Sequence, residues 1–108
     1  MAGAKPFVNS KIKQRPVLLF SKKYCPESKK VKEILDGYKL TNQTYEVVEI
    51  ENRQDCNQIE DYFQIICLTD RRAVPQLFVR GKYIGSEPEI CRLHASGNLG
   101  KILISLKQ

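Results

Sequence analysis

The sequence predicts an α/β fold in which a four-stranded mixed sheet has helices on both faces. Residues 17–20 are four consecutive apolar residues, which indicates a central strand covered on both sides. An amphipathic segment and the valine-rich residues 45–50 follow, and this order indicates a right-handed parallel β-α-β unit. Residues 76–79, a turn at 80–82 and residues 83–84 then indicate a β-hairpin.

The helical segments complete an order α-β-α-β-α-β-β-α-α. The helix before the second strand has Val31, Ile34 and Leu35 on one face and is expected to end near Gly37. The other helices are predicted at residues 6–13, from residue 55 onward, at 87–96 and at 99–106.

Length and composition predict one domain over residues 1–108. A chain of 108 residues with 42% hydrophobic residues can bury one core and leaves no room for a second. The sequence has no apolar run long enough to span a membrane, and its first ten residues lack the features of a secretory signal. We therefore expect a cytoplasmic protein without membrane partners.

The basic residues argue for a small anionic ligand. The formal net charge is +6. These residues are scattered among several segments and are not interleaved with aromatic residues, which argues against a nucleic-acid partner. A positive field draws small anions. Solvated lysines that serve only solubility are the open alternative.

Cys25 lies where the first strand gives way to a helix. Pro26 suits the first helical position, which makes Cys25 the predicted N-cap. Unpaired main-chain N–H groups, the helix dipole and the charges of Lys22 and Lys23 all favour a thiolate at this place. The pattern predicts a nucleophilic sulfur, and the alternative is an inert buried cysteine beside a helix.

The four cysteines do not resemble a metal site or a disulfide framework. They form no Cys-x-x-Cys pair and no close set with the single histidine, so no structural metal is expected. A disulfide framework is not expected in a chain without an export signal. We predict one reactive thiol and three packed or bystander thiols, which are Cys56, Cys67 and Cys91; Cys56, near a helix start, is a second candidate for reactivity.

The motif Lys-x-x-Cys-Pro-x-Ser from Lys22 to Ser28, followed by Val-Pro at residues 74–75 and Ile-Gly at 84–85, resembles the glutaredoxins. These are small enzymes of the thioredoxin fold that use glutathione. The resemblance covers almost the whole chain, and the order and spacing of the motifs carry it. It implies a thioredoxin-like fold, glutathione as co-substrate and glutathionylated proteins as partners. We expect the chain to act as a monomer.

The resemblance implies a cycle that needs one cysteine. The Cys25 thiolate attacks the glutathione sulfur of a mixed disulfide, the protein thiol leaves, and a second glutathione resolves the enzyme. Dithiol members of the family have a resolving cysteine at the position of Ser28, and a serine cannot form a disulfide. A monothiol mechanism is therefore expected. Ser28 is either a hydroxyl donor to the thiolate or an ordinary first-turn serine, and Lys23 is a further candidate for supporting the thiolate.

The resemblance also implies contacts with glutathione. Lys22 matches the family lysine that meets the glycine carboxylate, and Tyr24 belongs to the same expected site. Val74 and Pro75 match a cis-proline turn whose main chain would face an extended peptide. A trans proline that begins an edge strand is the alternative.

One departure from the family pattern lies on the third helix. The common glutamine falls at Glu60 here, where a carboxylate is expected to repel the glycine end of glutathione. Arg71 or Arg72 is expected to compensate for this charge, and Arg72 is included in the expected site. Either arginine is otherwise a solvated loop charge.

A second departure lies in the segment that the resemblance assigns to the γ-glutamyl end. Ser86 adds a side chain where close main-chain approach is expected, and Pro88 removes one donor. Glu89 keeps the negative charge expected to accept from the ammonium group. Ser86 and Glu89 are therefore included in the expected glutathione site.

Two alternatives to the enzyme remain open. The first is a module that recognises a protein partner through the groove at Cys25 and residues 74–75 without useful catalysis, which the altered residues 86–89 favour. The second is a carrier of a two-iron cluster held between two subunits. In the family, a proline after the cysteine, as at Pro26, accompanies redox enzymes rather than cluster carriers.

Overall fold

In the computed structural model of the chain, residues 4–66 and 75–104 are described. Their elements follow the predicted order, and the predicted α/β class is confirmed. No helix in these two ranges is long and apolar enough to cross a membrane. The elements are α1 Ala4–Gln14, β1 Val17–Ser21, α2 Pro26–Asp36, β2 Tyr45–Glu49, α3 Cys56–Ile66, β3 Gln76–Val79, β4 Lys82–Gly85, α4 Glu87–Ser96 and α5 Asn98–Ile104.

Strand β1 lies inside the sheet, whose strand order is β2-β1-β3-β4. It pairs with β2 in parallel and with β3 in antiparallel fashion, and β3 pairs antiparallel with β4. The predicted parallel β-α-β unit is thereby confirmed. All five residues of β1 are buried, because the strand has neighbours on both edges and helices on both faces.

Alternate residues of β1 enter two separate hydrophobic clusters, since side chains alternate across a strand. Leu18 and Phe20 pack with Val8 of α1 and Phe63 of α3 on one face. The opposite face packs against α2, α4 and α5, through Val17, Leu19, Val31, Leu35, Leu77, Val79, Ile90, Leu99 and Leu103.

Three helices begin at one edge of the sheet. Strands β1, β2 and β4 run in the same direction, because β1 is parallel to β2 and antiparallel to β3, which is antiparallel to β4. Helices α2, α3 and α4 follow these strands, so their N-termini gather at the carboxyl edge of the sheet. The positive ends of three helix dipoles are therefore directed at one region, which favours anions.

The opposite ends of α2 and α4 are joined by a polar contact. Tyr38, just after α2, lies 2.8 Å from His94 Nδ1 through its hydroxyl, and the two rings meet edge to face at 5.8 Å. Gly100 of α5 lies against the Tyr38 ring, where an added Cβ would be 3.4 Å from Cε1. Gly97 ends α4 in the left-handed conformation, as its position predicts.

Phe20 is a central side chain of the hydrophobic cluster that β1 forms with α1 and α3. It is fully buried and contacts the rings of Phe63 and Phe78 at 5.1 and 6.0 Å between centroids. We expect Phe20→Ala to lower the free energy of unfolding by about 3–5 kcal/mol, because it leaves a cavity in this cluster. Urea denaturation measures the change.

Tyr24 provides the comparison, because its side chain is 90% exposed. Tyr24→Ala should change the free energy of unfolding by less than about 0.5 kcal/mol. A similar loss in both variants would contradict the assignment of Phe20 to the core.

Candidate active site

Cys25 is the N-cap of α2, as the sequence predicts, and Pro26 follows in the first turn. Its main chain is extended, with φ −86° and ψ 117°, and its carbonyl accepts the Lys29 N–H at 3.0 Å. The half-buried Sγ accepts the main-chain N–H of Ser28 at 3.4 Å. A sulfur held in this way has a donor that stabilises negative charge on it.

Glu27 is a part of the site that the sequence analysis missed. Its Oε2 lies 3.3 Å from Sγ of Cys25 and accepts from the thiol. A carboxylate at this distance repels a negatively charged sulfur. Acidic residues are common in the first turn of any helix, so the sequence pattern gave no reason to assign Glu27 to the thiol.

Ser28 supports the sulfur through its main chain and not through its hydroxyl. The side chain is fully buried, and Oγ has no hydrogen-bond partner within the described part of the chain. Of the two alternatives for Ser28, a hydroxyl donor to the thiolate and an ordinary first-turn serine, the structure agrees with the second, and the bond to the sulfur comes from the main chain. Lys23, the other predicted support, has an exposed side chain, and its main-chain N–H donates to Glu51 Oε2 at 3.2 Å.

Lys22 is paired with the unusual carboxylate on α3. Its Nζ donates to Glu60 Oε2 at 3.0 Å, and only 8% of the Glu60 side chain is exposed. This hydrogen bond raises the pKa of Lys22 above its ordinary value of 10.5, although partial burial opposes the change. The ammonium therefore persists through neutral pH, and the pair is lost only as the pH rises above 10.5.

Lys22 is one source of compensation for the Glu60 carboxylate. The sequence analysis expected Arg71 or Arg72 to compensate for this charge, and that expectation stays a prediction. Both arginines lie outside the described residues, as does Val74. A lysine that was expected to be available for glutathione thus has an internal partner.

Pro75 and Tyr24 both lie near the carboxyl end of β1. Pro75 is buried and directly precedes β3. Because Gln76 pairs with Phe20, Pro75 lies beside the carboxyl end of β1, at the edge where Cys25 is found. Tyr24 is 90% exposed and precedes the reactive cysteine, so its ring is accessible to a substrate.

The start of α4 is covered by one of its own side chains. Ser86 is the buried N-cap, and its N–H donates to Glu89 Oε1 at 2.9 Å. Glu89 also lies over Gly85, where an added Cβ would be 2.4 Å from the Glu89 Cβ. Gly85 has a φ of +148°, so both conformation and space require glycine. Glu89 therefore accepts from the Ser86 N–H, a donor at the start of α4, and its expected contact with the ammonium group of glutathione stays a prediction.

The described cysteines lie in different surroundings. Burial, and then the Glu87 carboxylate at 3.5 Å, raise the pKa of Cys91. Cys56 is half-buried at the start of α3 and packs against the same cluster as Cys25. Cys67 lies outside the described residues. In residues 4–66 and 75–104, no group of three His, Cys, Asp or Glu side chains is arranged to hold a metal ion.

The fold and the site together define a protein of the thioredoxin fold with a cysteine at the start of its second helix. Comparisons specify the family. The glutaredoxin family model matches residues 17–84. The chain is 36% identical over 102 residues to Glutaredoxin-C8 of Oryza sativa subsp. japonica, covering 94% of this chain and 73% of the relative.

Solved structures agree with the family assignment. Oxidised glutaredoxin 2 from Chlamydomonas reinhardtii superposes with a TM-score of 0.81 at 31% identity, over 96% of this chain and 94% of that one. A buckwheat glutaredoxin-glutathione complex gives 0.81 at 26% identity, over 94% and 88% of the two chains. The chain belongs to the glutaredoxin family, whose members are thiol oxidoreductases that use glutathione.

Replacing Glu27 should make Cys25 more reactive. Glu27→Gln removes the negative charge beside Sγ, so we expect alkylation of Cys25 by iodoacetamide at neutral pH to accelerate about two- to threefold, the size of an exposed charge contact. Mass spectrometry of the Cys25 peptide measures the rate. Glu33→Gln, on the exposed face of α2, makes the same change in net charge and should leave the rate unaltered. Equal rates in all three proteins would contradict the role given to Glu27.

Removing the Ser28 hydroxyl should stabilise the protein. A buried oxygen without a hydrogen bond costs free energy, so Ser28→Ala is expected to raise the free energy of unfolding by about 1 kcal/mol. The change also improves helix propensity. Ser10→Ala, at an exposed position in α1, measures that contribution separately by the same denaturation assay. A loss of stability in Ser28→Ala would show that the hydroxyl has a partner.

Proposed function

We propose that the protein is a monothiol oxidoreductase that removes glutathione from glutathione-protein mixed disulfides, with Cys25 as the nucleophile. The observation that carries the proposal is the position of Sγ, half-buried at the start of α2 and bonded to the Ser28 N–H. The gathering of three helix N-termini at the same edge supports an anionic substrate such as glutathione.

The proposed reaction has two exchange steps. The Cys25 thiolate attacks the glutathione sulfur of the mixed disulfide, a Cys25–glutathione disulfide forms, and the protein sulfur leaves as a thiolate. The thiolate of a second glutathione then attacks the sulfur of the bound glutathione. Oxidised glutathione is released, and Cys25 is again a thiolate. Each step breaks one disulfide and forms one, so no further oxidant or reductant is needed.

The motif around the thiol supports the monothiol form of the mechanism. Ser28 is the residue three positions after Cys25, and its side chain is a hydroxyl buried in α2. A hydroxyl cannot resolve the glutathione adduct by forming an internal disulfide. We further propose that the protein acts as a monomer in the cytoplasm, where thiols are kept reduced.

Glutathione is proposed to bind along the edge from α2 to α4. Its cysteine sulfur meets Cys25, the main chain beside Pro75 pairs with its extended part, and Tyr24 flanks it. Lys22 is assigned to the glycine end and the start of α4 at Ser86 to the γ-glutamyl end. The buckwheat glutaredoxin-glutathione complex, which has the same fold, supports this assignment.

A second candidate function is a protein-binding module without useful catalysis. Two internal carboxylates favour it, because Glu60 accepts from Lys22 Nζ and Glu89 accepts from the Ser86 N–H. In the proposed enzyme both of these donors would bind glutathione. Turnover measurements separate the two functions.

Reduction of a glutathionylated peptide by glutathione, coupled to glutathione reductase, tests the enzyme. We expect turnover by the unaltered protein and only the uncatalysed rate with Cys25→Ser, because the nucleophile is lost. Cys91→Ser is the matched control and should keep full activity, since its thiol is held protonated. After treatment with oxidised glutathione, intact mass should show one glutathione adduct at Cys25 and no internal disulfide involving it.

Two outcomes would refute parts of this function. Absence of turnover in folded, unaltered protein would favour the binding module. An internal disulfide between Cys25 and another cysteine would contradict the monothiol mechanism while leaving the oxidoreductase class intact.

A further inference from the structure

An open groove lies between the end of α1 and the turn of the β3-β4 hairpin. Its two adjoining parts, of about 360 and 380 Å³, share Ile12, Lys13 and Gly81. The lining also includes the apolar residues Pro16 and Phe78 and the cations Arg15 and Arg80. Among the described residues that line the groove, none is acidic. The groove therefore combines positive charge with apolar surface.

The groove lies at the edge of the sheet opposite to Cys25. Pro16 directly precedes β1, and Val17 at the start of β1 pairs with Val79 at the end of β3. The Arg80 N–H donates to the Pro16 carbonyl at 2.6 Å, which ties the hairpin turn to the residue before β1. The five residues of β1, about 16 Å in length, separate the groove from the thiol edge. A molecule bound in the groove leaves Cys25 open to a second molecule.

Two cations of the groove have no acidic partner in the part of the chain that the structure describes. Lys13 is exposed in the last turn of α1 and forms no ion pair with these residues. Arg15 donates through Nε and Nη1 to the main-chain carbonyls of Asn42 and Gln14, at 2.9 and 3.1 Å. Those bonds hold the guanidinium in place without neutralising it. Both cations can therefore attract a carboxylate from outside the chain.

The shape of the groove favours an acidic peptide segment over a single small anion. A small anion is held best where several donors converge on one point, whereas these cations lie in an open groove. An extended segment can bring successive carboxylates to Lys13 and Arg15 and pack an apolar side chain against Ile12 and Pro16. Each exposed ion pair contributes little, so several acidic residues and an apolar contact are needed together.

We propose that this groove docks an acidic segment of a partner protein, in which aspartate or glutamate residues flank an apolar side chain. Because Cys25 stays open at the other edge of the sheet, docking raises the effective concentration of the partner near the thiol. The inference goes beyond the proposed function and does not depend on it, since docking requires neither turnover nor glutathione.

Fluorescence anisotropy with a labelled peptide tests the docking. The probe contains four glutamates around two central leucines, and a control peptide has glutamine in place of each glutamate. An ionic strength of about 0.15 M screens exposed charges that lie more than about 8 Å apart. We expect the full chain to bind the acidic peptide saturably and the glutamine peptide about tenfold more weakly, because two exposed ion pairs are lost. Equal affinities, or no saturable binding of the acidic peptide, would overturn the inference.

Lys13→Glu should weaken binding of the acidic peptide about tenfold, because a repulsion replaces an attraction. Lys101→Glu is the matched control: Lys101 is also an exposed lysine in the last turn of a helix, and its replacement changes the net charge equally. Lys101→Glu is expected to keep the affinity of the unaltered protein. Equal weakening in the two variants would show attraction to the net charge alone and would contradict a docking site at the groove.

Backbone amide shifts in NMR spectra of the full chain locate the bound peptide. The largest changes are expected at Ile12, Lys13 and Gly81. Changes centred on Cys25 and Ser86 would place the peptide at the thiol edge and refute the groove. Turnover of a glutathionylated peptide too short to reach the groove should be the same in Lys13→Glu as in the unaltered protein, so docking and catalysis are measured separately.

Discussion

The antiparallel pairing of β3 with both β1 and β4 is the constraint from which the site follows. It makes β1 and β4 point the same way, so the helices after them start at one edge. Cys25 and Ser86 are the N-caps of those two helices, and Pro75 directly precedes β3, which lies between β1 and β4. A thiol, a buried proline and a helix start are thereby brought together from residues that span 61 positions of the chain, with β1 supplying the rigid support.

Two carboxylates on helices accept hydrogen bonds from donors at this edge of the sheet. Glu60 forms an ion pair with the ammonium of Lys22, and Glu89 accepts from the N–H of Ser86. Both interactions satisfy polar groups that would otherwise lie poorly solvated.

Much of this structure could be predicted from the sequence, because its signals are local. The apolar run of β1, the N-cap at Cys25, the hairpin turn and the glycine after α4 each depend on near neighbours in the chain. The pairing of Lys22 with Glu60 spans 38 positions, and no periodicity encodes it. The contact of Glu27 with the thiol is local, but it depends on a side-chain rotamer that the pattern leaves open. Residue type showed that charges were present, and only the fold showed which of them meet.

The contact between Tyr38 and His94 joins the C-terminal ends of α2 and α4. Cys25 and Ser86 lie at the N-terminal ends of these helices, and α2, with 11 residues, is about 16 Å long. The relative position of the thiol and the start of α4 therefore depends in part on packing at the far ends of the two helices, where Tyr38 meets His94 and Gly100.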